Sequence, residues 1–148
     1  MAVEDYRGRG SPKASGKGAG PKEGARSIFV VQEHLASRHH WDLRLEIGGV
    51  LRSWAMPKEP PLAPGIRRLA IQTNDHPLEY ADFEGNIPEG EYGAGRVKRW
   101  DGGTYEFESV HDNKYVCIMK GDRLKGAYVL LRFRPGKEKG MWLFFRRK

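Results

Sequence analysis

Apolar and polar residues alternate along residues 40–47 of this chain. Because successive side chains of a β-strand point to opposite faces, the pattern predicts a strand with one apolar and one polar face. The apolar face would carry Trp41, Leu43, Leu45 and Ile47, and the polar face His40, Asp42, Arg44 and Glu46. We expect the first face to lie in a core and the second to form a polar array.

Short β-branched and aromatic runs, separated by Gly, Pro and Asp, continue to the end of the chain. They predict strands at residues 27–33, 40–47, 50–56, 67–73, 78–83, 96–100, 104–108, 115–120, 127–133 and 141–146. Gly48-Gly49 and Asp101-Gly102-Gly103 are typical of tight hairpin turns between such strands. The fold class is therefore all-β, and a small antiparallel barrel of about eight strands, closed or nearly closed, would remove exposed sheet edges.

Residues 1–26 differ from the rest of the chain in composition. They are rich in Gly, Ser, Ala, Pro and Lys and contain almost nothing to bury, so we predict a flexible basic arm. The alternatives for this arm are a solvated tail and a segment that follows a phosphate backbone. Residues 27–148 then form a single barrel domain, which suits a chain of 148 residues.

The net charge of +7 and the pI near 9.6 favour a polyanionic partner such as nucleic acid. The single cysteine, Cys117, excludes an internal disulfide framework and suits a reducing cytosol. No apolar run approaches the roughly 20 residues needed to span a bilayer. We therefore expect a cytoplasmic protein without a membrane association.

Two histidines and an aspartate form the spacing His34-x5-His40-x-Asp42. Imidazoles with one carboxylate suit Mn²⁺, Fe²⁺ or Zn²⁺ and leave coordination positions open. His34 would fold back from the start of the loop before the strand, whereas His39 would point away from His40. The alternative is that both candidate histidines form hydrogen bonds at a strand end and bind no metal.

Arg44 shares the polar face with the carboxylate of Asp42, where it could help to neutralise an anion or merely form a surface ion pair. Arg68 and His76 would converge on it if their strands are neighbours in the barrel. Lys58 and Tyr80 give no functional signal by themselves.

Three segments carry a close resemblance to a known family. They are FVVQEHLASRHHWDLRLEIGGVLRSWAMPKEPPL, RRLAIQTNDHPLEYADFEGNIPEGEYGAG and RVKRWDGGTY. Together they resemble the 3′-phosphoesterase domain of bacterial DNA ligase D and its stand-alone relatives. The resemblance implies a small β-barrel with bound Mn²⁺, with Co²⁺ or Zn²⁺ as other candidate metals. It also implies removal of 3′-terminal ribonucleotides and of 3′-phosphates during DNA end joining.

Motif by motif, the resemblance also implies roles for individual residues. It makes His34, His40 and Asp42 the metal ligands. A second set would act on the phosphate or assist at the site: Arg44, Arg68, His76, Lys58 and Tyr80. The N-terminus departs from the family, which usually has Arg-Asp-Phe followed by Thr-Pro-Glu-Pro. Arg7 or Arg9 would have to substitute for that element in ribonucleotide removal.

The expected partners are 3′ ends of DNA or of RNA–DNA primer-templates, together with a separate ligase and polymerase of end joining. We expect the protein itself to be a monomer. Two other functions remain open from the sequence. One is an Fe(II)-dependent oxygenase in which a later histidine joins His40-x-Asp42. The other is a non-catalytic, basic barrel that binds nucleic acid.

Overall fold

The structure is a computed structural model that describes residues 20–91, 94–133 and 140–148. Its strands are β1 (Arg26–Leu35), β2 (His39–Ile47), β3 (Val50–Met56), β4 (Arg67–His76), β5 (Gly85–Ile87), β6 (Gly95–His111), β7 (Lys114–Gly121), β8 (Lys125–Arg132) and β9 (Met141–Arg146). A 3₁₀ helix spans Leu78–Asp82, between β4 and β5.

The strands form one antiparallel sheet in the order β1-β2-β3-β4-β9-β8-β7-β6-β5. The β1 strand also pairs with β6, so that Ile28 lies opposite Thr104 and His34 lies opposite Val97. This pairing closes eight strands into a barrel and leaves β5 outside, where it pairs with β6. The structure thus confirms the all-β, closed antiparallel barrel of about eight strands that the sequence predicts.

Apolar side chains from the inward rows of the strands fill the barrel. In β2, Leu43 and Leu45 lie in this core, as the alternation predicts. Trp54 of β3 and Trp142 of β9 meet edge to face, with ring centroids 5.7 Å apart, an arrangement that aromatic pairs favour. The large apolar interior makes the barrel a rigid support for whatever its outer surface carries.

A second apolar cluster covers part of the outer surface. It contains Val30, Leu51, Tyr80, Ala81, Phe83, Ile87 and Val97. Its members come from β1, β3, β5, β6 and the segment around the 3₁₀ helix. The segment that includes the 3₁₀ helix and β5 therefore packs against the outer wall of the barrel, and polar side chains on that wall become buried.

The hairpin predicted at Gly48-Gly49 is confirmed. Ile47 pairs with Val50, which leaves a two-residue loop between β2 and β3. Both glycines have positive φ, 64° and 86°. Two-residue hairpin loops with positive φ at both positions follow the right-handed twist of the strands and favour glycine.

The second hairpin, predicted at Asp101-Gly102-Gly103, is wrong. All three residues lie within the 17-residue strand β6 and pair with β1. A Cβ atom at Gly103 would collide with the carbonyl oxygen of Lys120 on β7, so this glycine permits close approach between strands and makes no turn. The chain reverses ten residues later, where His111 pairs with Lys114.

The predicted strand at residues 78–83 is also wrong, because residues Leu78–Asp82 form the 3₁₀ helix. Its backbone is satisfied locally: the Tyr80 N–H donates to the Pro77 carbonyl (3.0 Å) and the Phe83 N–H donates to the Tyr80 carbonyl (3.1 Å). Tyr80 and Ala81 are buried. Burial of these side chains against the barrel wall therefore stabilises the 3₁₀ helix more than strand pairing would.

Residues 20–25 lie along the barrel, where Glu23 forms a bridge with Phe107 and its carboxylate accepts from the Val110 N–H (3.0 Å). The remainder of the predicted arm, residues 1–19 with Arg7 and Arg9, falls outside the described residues. Within the described ranges, no helix has the length and hydropathy of a membrane span.

The buried carboxylate of Asp101 accepts from the backbone N–H groups of Asp122, Arg123 and Leu124 at 2.8–3.1 Å. We predict that Asp101→Ala lowers the free energy of unfolding by about 1.5–3 kcal/mol, because three donors lose a charged acceptor. Urea denaturation measures this change. Asp112→Ala, in the exposed β6–β7 turn, is the control and should change the free energy little. Equal effects of the two substitutions would contradict the role of Asp101.

Candidate functional site

A group of polar side chains is buried on the outer wall of β1, β2 and β3. Antiparallel register places His34 opposite His40 and Gln32 opposite Asp42. Arg44 lies opposite Ser53 of β3. Directly opposed residues point to the same face of a sheet, so these cross-strand pairs bring the side chains together on one surface.

His34, His40 and Asp42 form the group that we call the metal group. One possible ligand atom from each lies within 4.8 Å of the others. The Asp42 Oδ2 atom is 3.2 Å from His40 Nε2 and 3.7 Å from His34 Nδ1. Contrary to what its position in the sequence predicts, His34 does not fold back from a loop, because it belongs to β1 and faces His40 across the strand pair, with ring centroids 4.7 Å apart.

This donor set fits a divalent transition metal. Two ligands of one such ion lie at most about 4.4 Å apart when each bond is about 2.2 Å long, so shifts of a few tenths of an ångström would complete the site. His34 Nε2 is buried without a hydrogen-bond partner in the described part of the chain. His40 Nδ1 lies 3.0 Å from the Arg38 carbonyl, and a ring nitrogen that donates there leaves Nε2 for a ligand.

The charge of Asp42 is held by its neighbours. Burial opposes its ionisation, but the Arg44 charge and the contacts with His34 and His40 outweigh burial and keep the Asp42 pKa well below its usual range. In turn, the hydrogen bond with Asp42 raises the pKa of His40. A carboxylate that stays ionised is a suitable metal ligand.

Arg44 is 4% exposed and its guanidinium is fixed by several partners. Its Nε atom donates to Gln32 Oε1 (2.6 Å), and its Nη1 atom donates to Ser53 Oγ (2.8 Å). Its Nη2 atom lies 3.4 Å from Asp42 Oδ2. The guanidinium therefore has a defined orientation beside the metal group, as the shared strand face of Asp42 and Arg44 suggested.

Gln32 and Ser53 also belong to the site, although the sequence pattern did not predict a role for them. Gln32 is completely buried, and its Nε2 donates to the carbonyl oxygens of Tyr80 (2.8 Å) and Phe83 (3.3 Å). It thus connects Arg44 to the segment that covers the site. A signal was present, because Gln32 is a polar residue directly after the apolar run of residues 28–31.

His76 and Tyr80 complete the surroundings of Arg44. His76 Nδ1 lies 3.1 Å from Arg44 Nη1 and 3.0 Å from the Asn74 carbonyl. Burial and the Arg44 charge lower the pKa of His76 to about 3, so this imidazole is neutral at pH 7. Arg44 Cζ lies 4.9 Å from the Tyr80 ring centroid, a cation–π distance.

Arg68 and Lys58 occupy a different position. Arg68 shares the face of β4 that carries Ala70, a residue of the barrel core, and its Nε donates to the Glu59 carbonyl (2.7 Å). Lys58 is exposed, two residues after Met56, the partner of Trp41. Both therefore lie towards the barrel end at which the metal group is located, outside the hydrogen-bonded network around Arg44.

The histidine that joins His40 and Asp42 in the described residues is the upstream His34. His76, the later histidine that an oxygenase triad would use, lies against Arg44 instead. His39 points away from the metal group, as expected, and its Nε2 is 2.7 Å from Glu33 Oε2.

Comparison with known proteins identifies the family of this chain. Residues 32–132 match the model of the DNA Ligase D 3′-phosphoesterase domain. The chain is 52% identical over 118 residues to the multifunctional non-homologous end joining DNA repair protein LigD of Mycobacterium tuberculosis (strain H37Rv), covering 77% of this chain and 16% of that protein. It is 40% identical over 147 residues to the multifunctional non-homologous end joining protein LigD of Pseudomonas aeruginosa (strain PAO1), covering 95% of this chain.

The chain spans 17% of the length of the Pseudomonas aeruginosa protein. The matched region contains every strand from β2 to β8 together with the metal group and Arg44. The chain belongs to the DNA ligase D 3′-phosphoesterase domain family.

Proposed function

We propose that this protein is a metal-dependent phosphoesterase that heals DNA 3′ ends in end joining. It would remove 3′-terminal ribonucleotides as a phosphodiesterase and 3′-phosphates as a phosphomonoesterase. The observation that carries the proposal is the contact between the metal group and an oriented guanidinium, with Arg44 Nη2 3.4 Å from Asp42 Oδ2. A cation and an arginine side by side suit the two charges of a terminal phosphate.

His34, His40 and Asp42 would hold the metal, for which we propose Mn²⁺, with Co²⁺ or Zn²⁺ as alternatives. When bound, such an ion polarises a phosphoryl oxygen and lowers the pKa of bound water. Arg44 would bind nonbridging oxygens of the phosphate. Since Gln32 and Ser53 already orient it, little reorganisation would accompany binding.

His76 and Tyr80 would act on the other side of Arg44. A neutral imidazole has one N–H donor and one acceptor, so His76 can donate to a phosphate oxygen without adding a charge. The low pKa of His76, about 3, supports this neutral role. Tyr80 would assist through its hydroxyl group.

We propose that Arg68 and Lys58 contact the part of the substrate that lies nearest the metal group. Lys58 follows Met56, whose register partner Trp41 is the chain neighbour of His40, and its long side chain would reach towards the metal group from the end of β3. Both cations would then approach the phosphate from the barrel end, Arg68 as the second part of a phosphate clamp.

The partners that this proposal implies are DNA or RNA–DNA primer-template ends and, in end joining, a DNA ligase and a polymerase. We propose that the protein acts as a monomer in the cytoplasm. The net charge of +7 supports binding to the DNA backbone.

The central test uses purified protein and Mn²⁺ with a primer-template that ends in one ribonucleotide. We predict stepwise appearance of 3′-phosphate and 3′-hydroxyl ends, and loss of both products in EDTA. His40→Ala and Asp42→Ala should each abolish both steps and reduce Mn²⁺ binding while circular dichroism still reports a folded barrel. His111→Ala, an exposed histidine outside the group, should retain activity. Full activity of either ligand variant would refute the metal assignment.

Arg44→Lys should lower kcat on the order of 100-fold, because an ammonium cannot reproduce the planar contacts to Gln32, Ser53 and Asp42. Steady-state kinetics with a 3′-phosphate end measures this loss, and Mn²⁺ titration should show that metal affinity changes much less. Arg147→Lys is the matched control, since Arg147 forms an exposed pair with Glu108. A kcat of Arg44→Lys close to that of the control would contradict the proposed clamp.

Gln32→Leu should lower the free energy of unfolding by about 1–3 kcal/mol, because Arg44 Nε loses its buried acceptor, and it should also lower kcat. Gln72→Leu is the matched control, since Gln72 accepts from the neutral indole N–H of Trp142 (3.2 Å). We expect the control to lose less stability and to keep its kcat. Urea denaturation and kinetics separate the two effects, and an unchanged kcat in Gln32→Leu would argue against orientation of Arg44 as its role.

A further inference from the structure

Beside the metal group, three neighbouring strand ends present a mixed apolar and basic surface. The register pairs His39 with Leu35 and Leu35 with Arg96, across β2, β1 and β6. The next row of the same face runs from Trp41 through Glu33 to Lys98. Aromatic and apolar side chains thus lie at one side of this face, and two cations lie at the other side.

His39 is held in a fixed orientation although its side chain is 46% exposed. Its ring stacks on Trp41, with centroids 4.3 Å apart and planes 27° apart. Its Nε2 atom lies 2.7 Å from Glu33 Oε2. Because Trp41 covers one face of the imidazole and Glu33 binds its edge, the opposite face of the ring is the part that solvent reaches.

Leu35 extends this exposed surface. It is the register partner of His39 and is 39% exposed. We call His39 and Leu35 the strand-end ledge. A fixed aromatic face beside an exposed aliphatic side chain is a surface on which a nucleobase can stack.

Two cations flank the ledge on β6. Arg96 and Lys98 are exposed, and Lys98 Nζ lies 3.9 Å from Glu33 Oε1. They lie two strands from His39, which is about 10 Å at the usual strand spacing. Aromatic side chains next to a basic track are the combination that binds single-stranded nucleic acid, with bases on the rings and phosphates on the cations.

The ledge begins where the metal group ends. His39 and His40 are adjacent in the chain, and their side chains point to opposite faces of β2. The ledge is therefore one residue from the metal group along β2, so a base on the ledge would belong to a nucleotide that passes around the end of this strand to the metal group.

We propose that the strand-end ledge is a nucleobase subsite, which takes the base of the nucleotide at the 3′ end under repair, with Arg96 and Lys98 binding the adjoining backbone. The inference rests on the proposed function and adds a positioning role for His39 in substrate binding. His39, which does not belong to the metal group, would therefore recognise the base.

The test compares two primer-templates with a 3′-phosphate, one ending in adenosine and one in an abasic nucleoside. We expect the wild-type protein to prefer the adenine end in kcat/KM by about fivefold to a hundredfold. His39→Ala should bring this preference close to one, mainly through KM, whereas His39→Phe should retain it because the ring still stacks. His111→Ala should behave like the wild-type protein. Substituting Arg96 and Lys98 together by Gln should weaken binding of both ends and reduce its salt dependence.

If His39→Ala lowers activity equally on both substrates, the proposal is overturned, because this result indicates damage to the neighbouring His40. An unchanged preference in His39→Ala, or a loss of the preference in His39→Phe, would overturn it as well. If the wild-type protein turns over neither substrate with any of the three metals, the proposed function fails. Fluorescence anisotropy of the same two ends in EDTA then still decides the subsite, because base-dependent binding that His39→Ala removes would support it and its absence would refute it.

Discussion

The burial of Arg44 next to Asp42 is the constraint on which the site depends. A charged group in a low-dielectric environment is stable only when it is paired and hydrogen-bonded. Arg44 is 4% exposed and Asp42 is 6% exposed. Arg44 therefore needs a specific set of partners. Its Nε atom contacts Gln32, its Nη1 atom contacts Ser53, and its Nη2 atom contacts Asp42. The same contacts that stabilise the charge also hold the guanidinium in one orientation.

The barrel supplies the rigidity that these contacts require. Its interior holds the side chains of β2 that alternate with the site residues, such as Leu43 and Leu45. A rotation or one-residue slip of β2 would expose these leucines and bury the polar row in the core, so the hydrophobic interior fixes the register of the site. The covering segment is tied to Gln32 through the carbonyls of Tyr80 and Phe83, and its Tyr80 ring lies against Arg44.

Much of the strand pattern follows from local rules, and its errors have one cause. The Gly48-Gly49 turn was predictable because a two-residue loop with positive φ needs glycine. The same reasoning failed at Gly102-Gly103, where glycine is required by the close approach of β7 to β6. It also failed at residues 78–83, where burial of Tyr80 against the barrel selects a 3₁₀ helix. In both cases a contact distant in sequence overrides a local preference.

The sequence by itself determined the all-β class, the inward and outward faces of β2, and the types of ligand that His40 and Asp42 offer, because strand periodicity assigns side chains to faces without further information. Only the tertiary structure decided that His34 faces His40 across a strand pair and that Gln32 is the acceptor for Arg44. It also decided that His76 meets Arg44 while Arg68 contacts the Glu59 carbonyl. These relations depend on the register between strands and on the segment that covers them, and both are set by packing of the whole barrel.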